Sequence, residues 1–163
     1  MSVSIREYAE GDRSAVVLCV RQLQDFVASM DLYQRIRRDE DFDADDYLDK
    51  TLQKVGQKNG IVYVAVESGL VIGCIVGVIQ LPQMDNPEGY PTTDGIVLEL
   101  VVLSGHKRKR VGTMLMEKME AYFAAQHCSV IKVDCFAPNK DAHAFYKKLG
   151  YEDRIMTMIK KSV

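Results

Sequence analysis

Five consecutive residues of this chain, His106, Lys107, Arg108, Lys109 and Arg110, are basic or can become so, and Gly112 follows closely. They stand between an apolar run, residues 98–103 (LELVVL), and residues 111–126, where Val111, Leu115, Met119 and Tyr122 recur at helical spacing. A strand that enters a helix through a basic, glycine-containing turn is a layout for holding phosphate. The first helical turn carries amide N–H groups without intrahelical partners and the positive end of the dipole. A small residue lets an anion approach those amides, and cationic side chains add attraction. Glu99 interrupts the apolar run. A carboxylate there faces either solvent or a reacting group.

The other elements must carry this turn. Residues 4–8 alternate polar and apolar and read as a first strand, after which Val16, Val20, Leu23 and Val27 predict a helix to about Met30. A second helix is expected over residues 44–55. Two β-branched runs, residues 61–67 and 71–81, flank Ser68, Gly69 and Leu70 and predict a hairpin. Gly73 and Gly77 in its second strand mark close packing or bulges. Residues 82–95 are a long loop, of the length of a lid or site wall. The strand of residues 96–103 leads into the basic turn, and the buried strand of residues 130–136 is expected to lie parallel to it across a crossover helix. Pro138 and Asn139 open a further helix that ends near Gly150, and residues 151–160 predict a closing strand.

The chain's 163 residues suit one domain, 47% are apolar and 27% charged, and the formal net charge is -2. That balance argues against a general polyanion binder. The charge is uneven, since seven of the twelve residues from Asp39 to Lys50 are acidic. Most such runs are solvated faces. The functional alternative is a segment that overhangs a site and attracts a cationic acceptor. Cys19, Cys74, Cys128 and Cys135 form no C-x-x-C pair, and the three histidines lack metal-ligand spacing. Reduced thiols in a cytoplasmic protein without a metal are the expectation. No signal peptide or membrane-spanning run is read.

Two segments resemble the GNAT superfamily of N-acetyltransferases. Residues 102–112, VLSGHKRKRVG, resemble its acetyl-CoA signature, a valine ending a strand followed five residues on by Q/R-x-x-G-x-G/A. Lys107 stands at the Q/R position, Arg110 at the first glycine and Gly112 at the last. Because arginine has a Cβ, the turn is expected to hold Arg110 without a positive φ. Residues 139–151, NKDAHAFYKKLGY, resemble the second motif through Asn139, Ala142, Phe145, Tyr146, Lys148, Leu149, Gly150 and Tyr151.

The resemblance implies an α+β (α/β mixed) fold. It has a central, mixed, splayed sheet of six to seven strands with about four helices. The strand before the turn bulges near Leu100, Val101 and Val102, and its freed amides bind pantetheine and polarise a thioester. Lys107, Arg108, Lys109, Arg110, Val111, Gly112 and Thr113 hold the phosphates of acetyl-CoA, with Asn139 contributing. Tyr146 protonates the thiolate and also touches the cofactor, while Glu99 is the candidate base. A tyrosine packed on a helix and an asparagine that merely caps one are the plain alternatives. Tyr33, Asp41, Asp43 and Tyr90 are candidates for the acceptor pocket. The expected protein moves an acetyl group to a primary amine, with a small cationic metabolite favoured over a protein amine, and a homodimer is possible. A non-catalytic acyl-CoA-binding or regulatory module on the same fold is the alternative. Nucleic-acid binding through the basic turn is disfavoured by the net charge and by the lack of interleaved aromatics.

Overall fold

The computed structural model describes residues 2–107 and 109–162. Arg108 therefore lies outside the described residues. The chain runs β1 (Val3–Glu7), α1 (Arg13–Ser29), α2 (Ala44–Gln57), β2 (Ile61–Glu67), β3 (Leu70–Gln80), β4 (Asp94–Val102), α3 (Val111–Ala125), β5 (Val130–Val133) and α4 (Lys140–Lys148). Its strands form a mixed sheet in the order β1-β2-β3-β4-β5. The first three pairings are antiparallel, and β5 runs parallel to β4 after the α3 crossover. The β2–β3 hairpin turns at Ser68 and Gly69, both with positive φ. That geometry matches the twist of the flanking strands.

Alternating strand residues feed two apolar layers. On one face Tyr63, Ile75 and Val97 pack with Leu115, Met119 and Phe123 of α3. On the other, Val64, Cys74 and Val101 pack with Val16 and Val20 of α1 and Leu48 of α2. The buried stripe of α3 is centred on Val111, Leu115, Met119 and Phe123, one residue beyond the expected Tyr122.

Two expectations are corrected. The described residues carry five strands rather than six or seven, because residues 151–162 form no ladder. The anticipated closing strand has the right composition but pairs with no strand among the described residues. Further, the β3–β4 register shifts between Val76, opposite Glu99, and Gly77, opposite Val97. The extra residue is thus Leu98, upstream of the expected bulge at Leu100 to Val102. Gly77 sits at this shift, where a Cβ would lie 2.4 Å from Met119 Sδ. The missing side chain lets α3 press onto the sheet where the ladder is irregular.

Gly95 serves the same packing, since a Cβ there would lie 2.5–2.7 Å from ring atoms of the fully buried Phe123. Gly95→Ala is expected to destabilise the fold by about 1–3 kcal/mol through overpacking. Urea unfolding measures it, and adding Phe123→Leu should recover part of the loss.

Candidate active site

The pairing of β4 with β5 runs from Asp94 opposite Val130 to Val97 opposite Val133 and then stops. Beyond Val97 the two strands separate, and β4 continues against β3 alone. Leu103 N–H donates to the Ile72 carbonyl at 2.9 Å. Antiparallel alternation then turns the backbone groups of Val101 and Glu99 toward β3 and those of Leu100 and Val102 toward the gap. Of the three strand residues expected at the cofactor, Leu100 and Val102 present amides to the gap. Val101 is spent on β3 and its side chain is buried under α1.

The gap opens onto the start of α3. Arg110 precedes that helix with φ +63° and offers no side-chain cap. The expectation that the turn would avoid a positive φ is therefore overturned. The chain needs the left-handed bend to enter α3, and an arginine occupies it at a cost of about 1–2 kcal/mol relative to an ordinary conformation. The first-turn amides of Val111, Gly112 and Thr113 remain without a capping side chain, the state in which they suit an anion. At Gly112 a Cβ would sit 3.4 Å from the Phe145 ring, an ordinary contact, so α4 packs close to this turn without the space itself demanding a glycine.

The basic side chains are partly committed elsewhere. Lys107 Nζ lies 4.8 Å from the centroid of the Phe26 ring. His106 Nδ1 and Lys109 Nζ stand 2.9 and 3.9 Å from Glu67 Oε2. These contacts tie the turn to α1 and β2. Arg110 is exposed and has no ion-pair partner among the described residues.

Tyr146, on α4, packs edge-on against Phe145 and Tyr151, with ring centroids 5.4 and 5.8 Å apart. Its hydroxyl has no hydrogen-bond partner among the described residues. Burial, with smaller contributions from Cys135 and Glu99, pushes its pKa up to about 12. The phenol is a retained proton donor at neutral pH. Asn139 caps α4, accepting from Ala142 N–H at 3.1 Å, so its side-chain oxygen is already in use.

Glu99 approaches from the opposite sheet face. The Tyr47 hydroxyl of α2 donates to Glu99 Oε1. Thr51, one turn further along α2, also hydrogen-bonds with Tyr47. Burial raises the Glu99 pKa, while the Tyr47 hydrogen bond and Lys54 pull it back. Burial and the neighbouring carboxylate raise the Tyr47 phenol. The carboxyl is therefore neither solvent-facing nor an ordinary acid. Neither Tyr47 nor Thr51 was anticipated, although Tyr47, Thr51 and Lys54 lie at spacings of four and three on one helix face.

Beside Glu99, on the α2 face, lies a cleft of about 280 Å³ with Ile96 and Leu98 as floor and Lys54, Lys58, Lys132 and Asp134 around it. Lys132 Nζ is 2.5 Å from the buried Asp94 carboxylate. The four expected pocket residues are placed elsewhere. Asp43 caps α2, Asp41 ends a short 3-10 turn, Tyr90 is 96% exposed, and the Tyr33 hydroxyl donates to the Ile159 carbonyl. Further along the acidic run, Asp45 and Asp49 pair with Arg13 and Asp46 with Lys50.

Among the described residues no cluster of three metal-donor side chains occurs, and no helix is long and apolar enough to cross a membrane.

Because Arg110 is held at positive φ, glycine there should be the better small replacement. Arg110→Gly is expected to be more stable than Arg110→Ala by about 1 kcal/mol, the reverse of the ordinary ranking. Thermal unfolding of the two variants side by side checks this.

The structure is similar to that of a mutant of the BH1408 protein from Bacillus halodurans, with a TM-score of 0.87 at 20% identity over 98% of this chain and 99% of that one. It is also similar to glucosamine-6-phosphate N-acetyltransferase from Arabidopsis thaliana, with a TM-score of 0.70 at 19% identity over 99% of each chain. At these identities the likeness is one of fold. In sequence, 87 residues are 34% identical to the uncharacterized protein YdhI of Bacillus subtilis (strain 168), covering 53% of this chain and 46% of YdhI. The matched region thus spans about half the length of that curated relative. Residues 26–151 match the model of the acetyltransferase (GNAT) family. That span holds the parted strands, the uncapped start of α3 and the tyrosine of α4, and on it the chain belongs to the GNAT acetyltransferase family.

Proposed function

We propose that the protein transfers an acetyl group from acetyl-CoA to the primary amine of a small acceptor, by direct attack of the amine on the thioester. The observation that carries the reading is the parting of β4 from β5. It leaves the Leu100 and Val102 amides without a β5 partner, between a protonated phenol on one sheet face and a half-buried carboxyl on the other. An apolar strand does not leave amides unpaired without cost, and a ligand satisfies them.

The first-turn amides of α3 at Val111, Gly112 and Thr113 hold the pyrophosphate, and Arg110 adds a free positive charge. Leu100 and Val102 donate to the pantetheine chain and to the thioester carbonyl as negative charge grows on its oxygen. The thioester supplies an activated acyl carbon. Glu99 takes, through water, the proton that the amine loses as the new C–N bond forms. Tyr146 gives its proton to the sulfur as the C–S bond breaks, and solvent restores it.

The cleft beside Glu99 supports an acceptor other than the cationic one expected from the acidic run. Asp43 of that run is engaged in a cap and Asp45, Asp46 and Asp49 in ion pairs, whereas Lys54 and Lys58 stand one turn apart at the cleft without ion-pair partners among the described residues. We read the acceptor as a small amine that also bears a carboxylate or phosphate. The four unpaired cysteines suit a reducing, cytoplasmic setting.

Acetyl-CoA should raise the melting temperature. No shift at millimolar cofactor overturns the reading. Tyr146→Phe is expected to lower kcat about a hundredfold or more while cofactor affinity changes little. Equal losses in both would remove the acid role.

The pH dependence follows from the two shifts. Glu99 must lose its proton to act, and its raised pKa moves the rising limb of the rate above the ordinary carboxylate range. With a pKa of about 12, Tyr146 imposes no falling limb near neutrality. Glu99→Gln should abolish the rising limb, and a limb that survives assigns it to another group.

For the acceptor, a matched pair of amines with and without a carboxylate separates the alternatives. Lys54→Glu should raise KM for the anionic amine more than for the neutral one.

A further inference from the structure

A second cleft, of about 270 Å³, adjoins the one beside Glu99 and is lined by Gln57, Asn59, Gln80 and Gln83 together with Lys58. Lys58 and Gln80 line the first cleft as well, so the two meet at these residues. Their walls differ in chemistry. The first carries Lys54, Lys132 and Asp134, whereas the second presents carboxamides and no carboxylate. None of the four carboxamide side chains hydrogen-bonds to a protein group among the described residues. Each therefore has donor and acceptor capacity to give to a ligand.

The backbone that bears them is fixed. Ile79 N–H donates to the Lys58 carbonyl at 2.9 Å, which clips the end of α2 to β3. The Tyr122 hydroxyl of α3 donates to the Asn59 carbonyl at 2.7 Å. At Gly60 a Cβ would lie 2.5 Å from the Gly77 carbonyl oxygen, so this segment lies directly on the strand. Opposite Gln80 in the register stands Asp94, which anchors Lys132 across the first cleft. The register also sets a length. Glu99 lies opposite Val76, and Gln80 is four residues further along β3. At the rise of a strand that is about 13 Å. Val76, Val78 and Gln80 fall on one face of the strand, so the path between them stays on the α2 side of the sheet.

We infer that the second cleft is a subsite for the far end of the acceptor. The acetylated amine heads an elongated molecule whose anionic group meets Lys54 and Lys58. Its uncharged, hydrogen-bonding tail lies among Gln57, Asn59, Gln80 and Gln83. The inference rests on the acetyl-transfer reading above and adds length and tail chemistry to it. Carboxamides donate and accept at once, which suits a tail that does the same, an amide chain or a polyol. An apolar tail would cover the four carboxamides without replacing their bonds to water. A compact amine fills the first cleft alone.

Four amines with one head test the subsite: aspartate, aspartyl-glycyl-glycinamide, aspartate joined through an amide to a sugar-alcohol amine, and aspartate hexylamide. One of the two hydrogen-bonding tails should lower KM about tenfold relative to aspartate, and the one that does so identifies the tail. The hexylamide should gain nothing. Gln57→Ala combined with Gln83→Ala should remove the advantage of the extended amine. Asn59 is left in place because its φ is +44°. The side-chain amide resonances of Gln57 and Gln83 should shift when the extended amine is titrated onto the full chain. Shifts without acetyl transfer support the subsite and sink the transfer reading. No shift at millimolar amine overturns the subsite whatever the transfer rate. A gain in KM that the hexylamide shares, or that survives the double substitution, overturns it too.

Discussion

The separation of β4 from β5 after Val97 and Val133 is the constraint on which the rest of the structure depends. Parallel neighbours normally continue their ladder, and breaking it strands backbone donors and acceptors in a largely apolar setting. The packing on both faces maintains the break. Leu98 is the extra residue that shifts the β3–β4 register, and Gly77 opposite this shift admits Met119 and Phe123 of α3. Val101 is pinned beneath α1 on the other face. The strand is therefore held by side-chain packing where its outer edge has no ladder. Folding leaves a slot lined by amides, to which a ligand of the proposed kind would add hydrogen bonds.

In the proposed reading, charge for an anion at the start of α3 comes more from backbone than from the conspicuous basic side chains. Lys107 lies over Phe26, while His106 and Lys109 face Glu67. These contacts hold the turn against α1 and β2, where its shape can present the first amides of α3. A helix start is fixed in direction, whereas long cationic side chains carry rotamer entropy that binding must overcome. The left-handed Arg110 fits the same view. The bend is demanded by the path into α3, and the arginine accepts local strain to place a charge there.

Local signals made much of this legible in the sequence, and non-local ones hid the remainder. The hairpin, the parallel pairing of β4 and β5, the four helices and the positions of Gly112, Asn139 and Tyr146 follow from short-range periodicity, turn residues and motif spacing. The bulge at Leu98 left no trace, because residues 96–103 read as one uninterrupted strand whichever residue is extra. Glu99 left its orientation open for the same reason. Its partner Tyr47 is 52 positions away and meets it through the way α2 crosses the sheet. The acidic run left its role open, since composition alone does not separate a site wall from a cap with ion pairs. The last strand misled. Residues 151–160 have strand composition, but composition names no partner, and the segment pairs with no strand among the described residues.

The two titratable groups of the candidate site are arranged so that burial helps both in the proposed reaction. Burial disfavours charge, so it keeps the Tyr146 phenol protonated and makes the Glu99 carboxylate a better proton acceptor than an exposed one. Unchecked burial would hold Glu99 neutral and useless as a base. The Tyr47 hydroxyl and Lys54 oppose that by stabilising the charged form. Tyr146 has no comparable donor among the described residues, which leaves burial to dominate its titration. The carboxyl comes from the α2 face and the phenol from the α4 face, and the gap between β4 and β5 joins them. A proton leaving the amine and a proton reaching the sulfur thus travel on opposite sides of the sheet. That arrangement spares the two groups direct contact, in which the carboxylate would take the phenol's proton bond for itself. Parting the strands supplies both the amide-lined slot and the separation of acid from base.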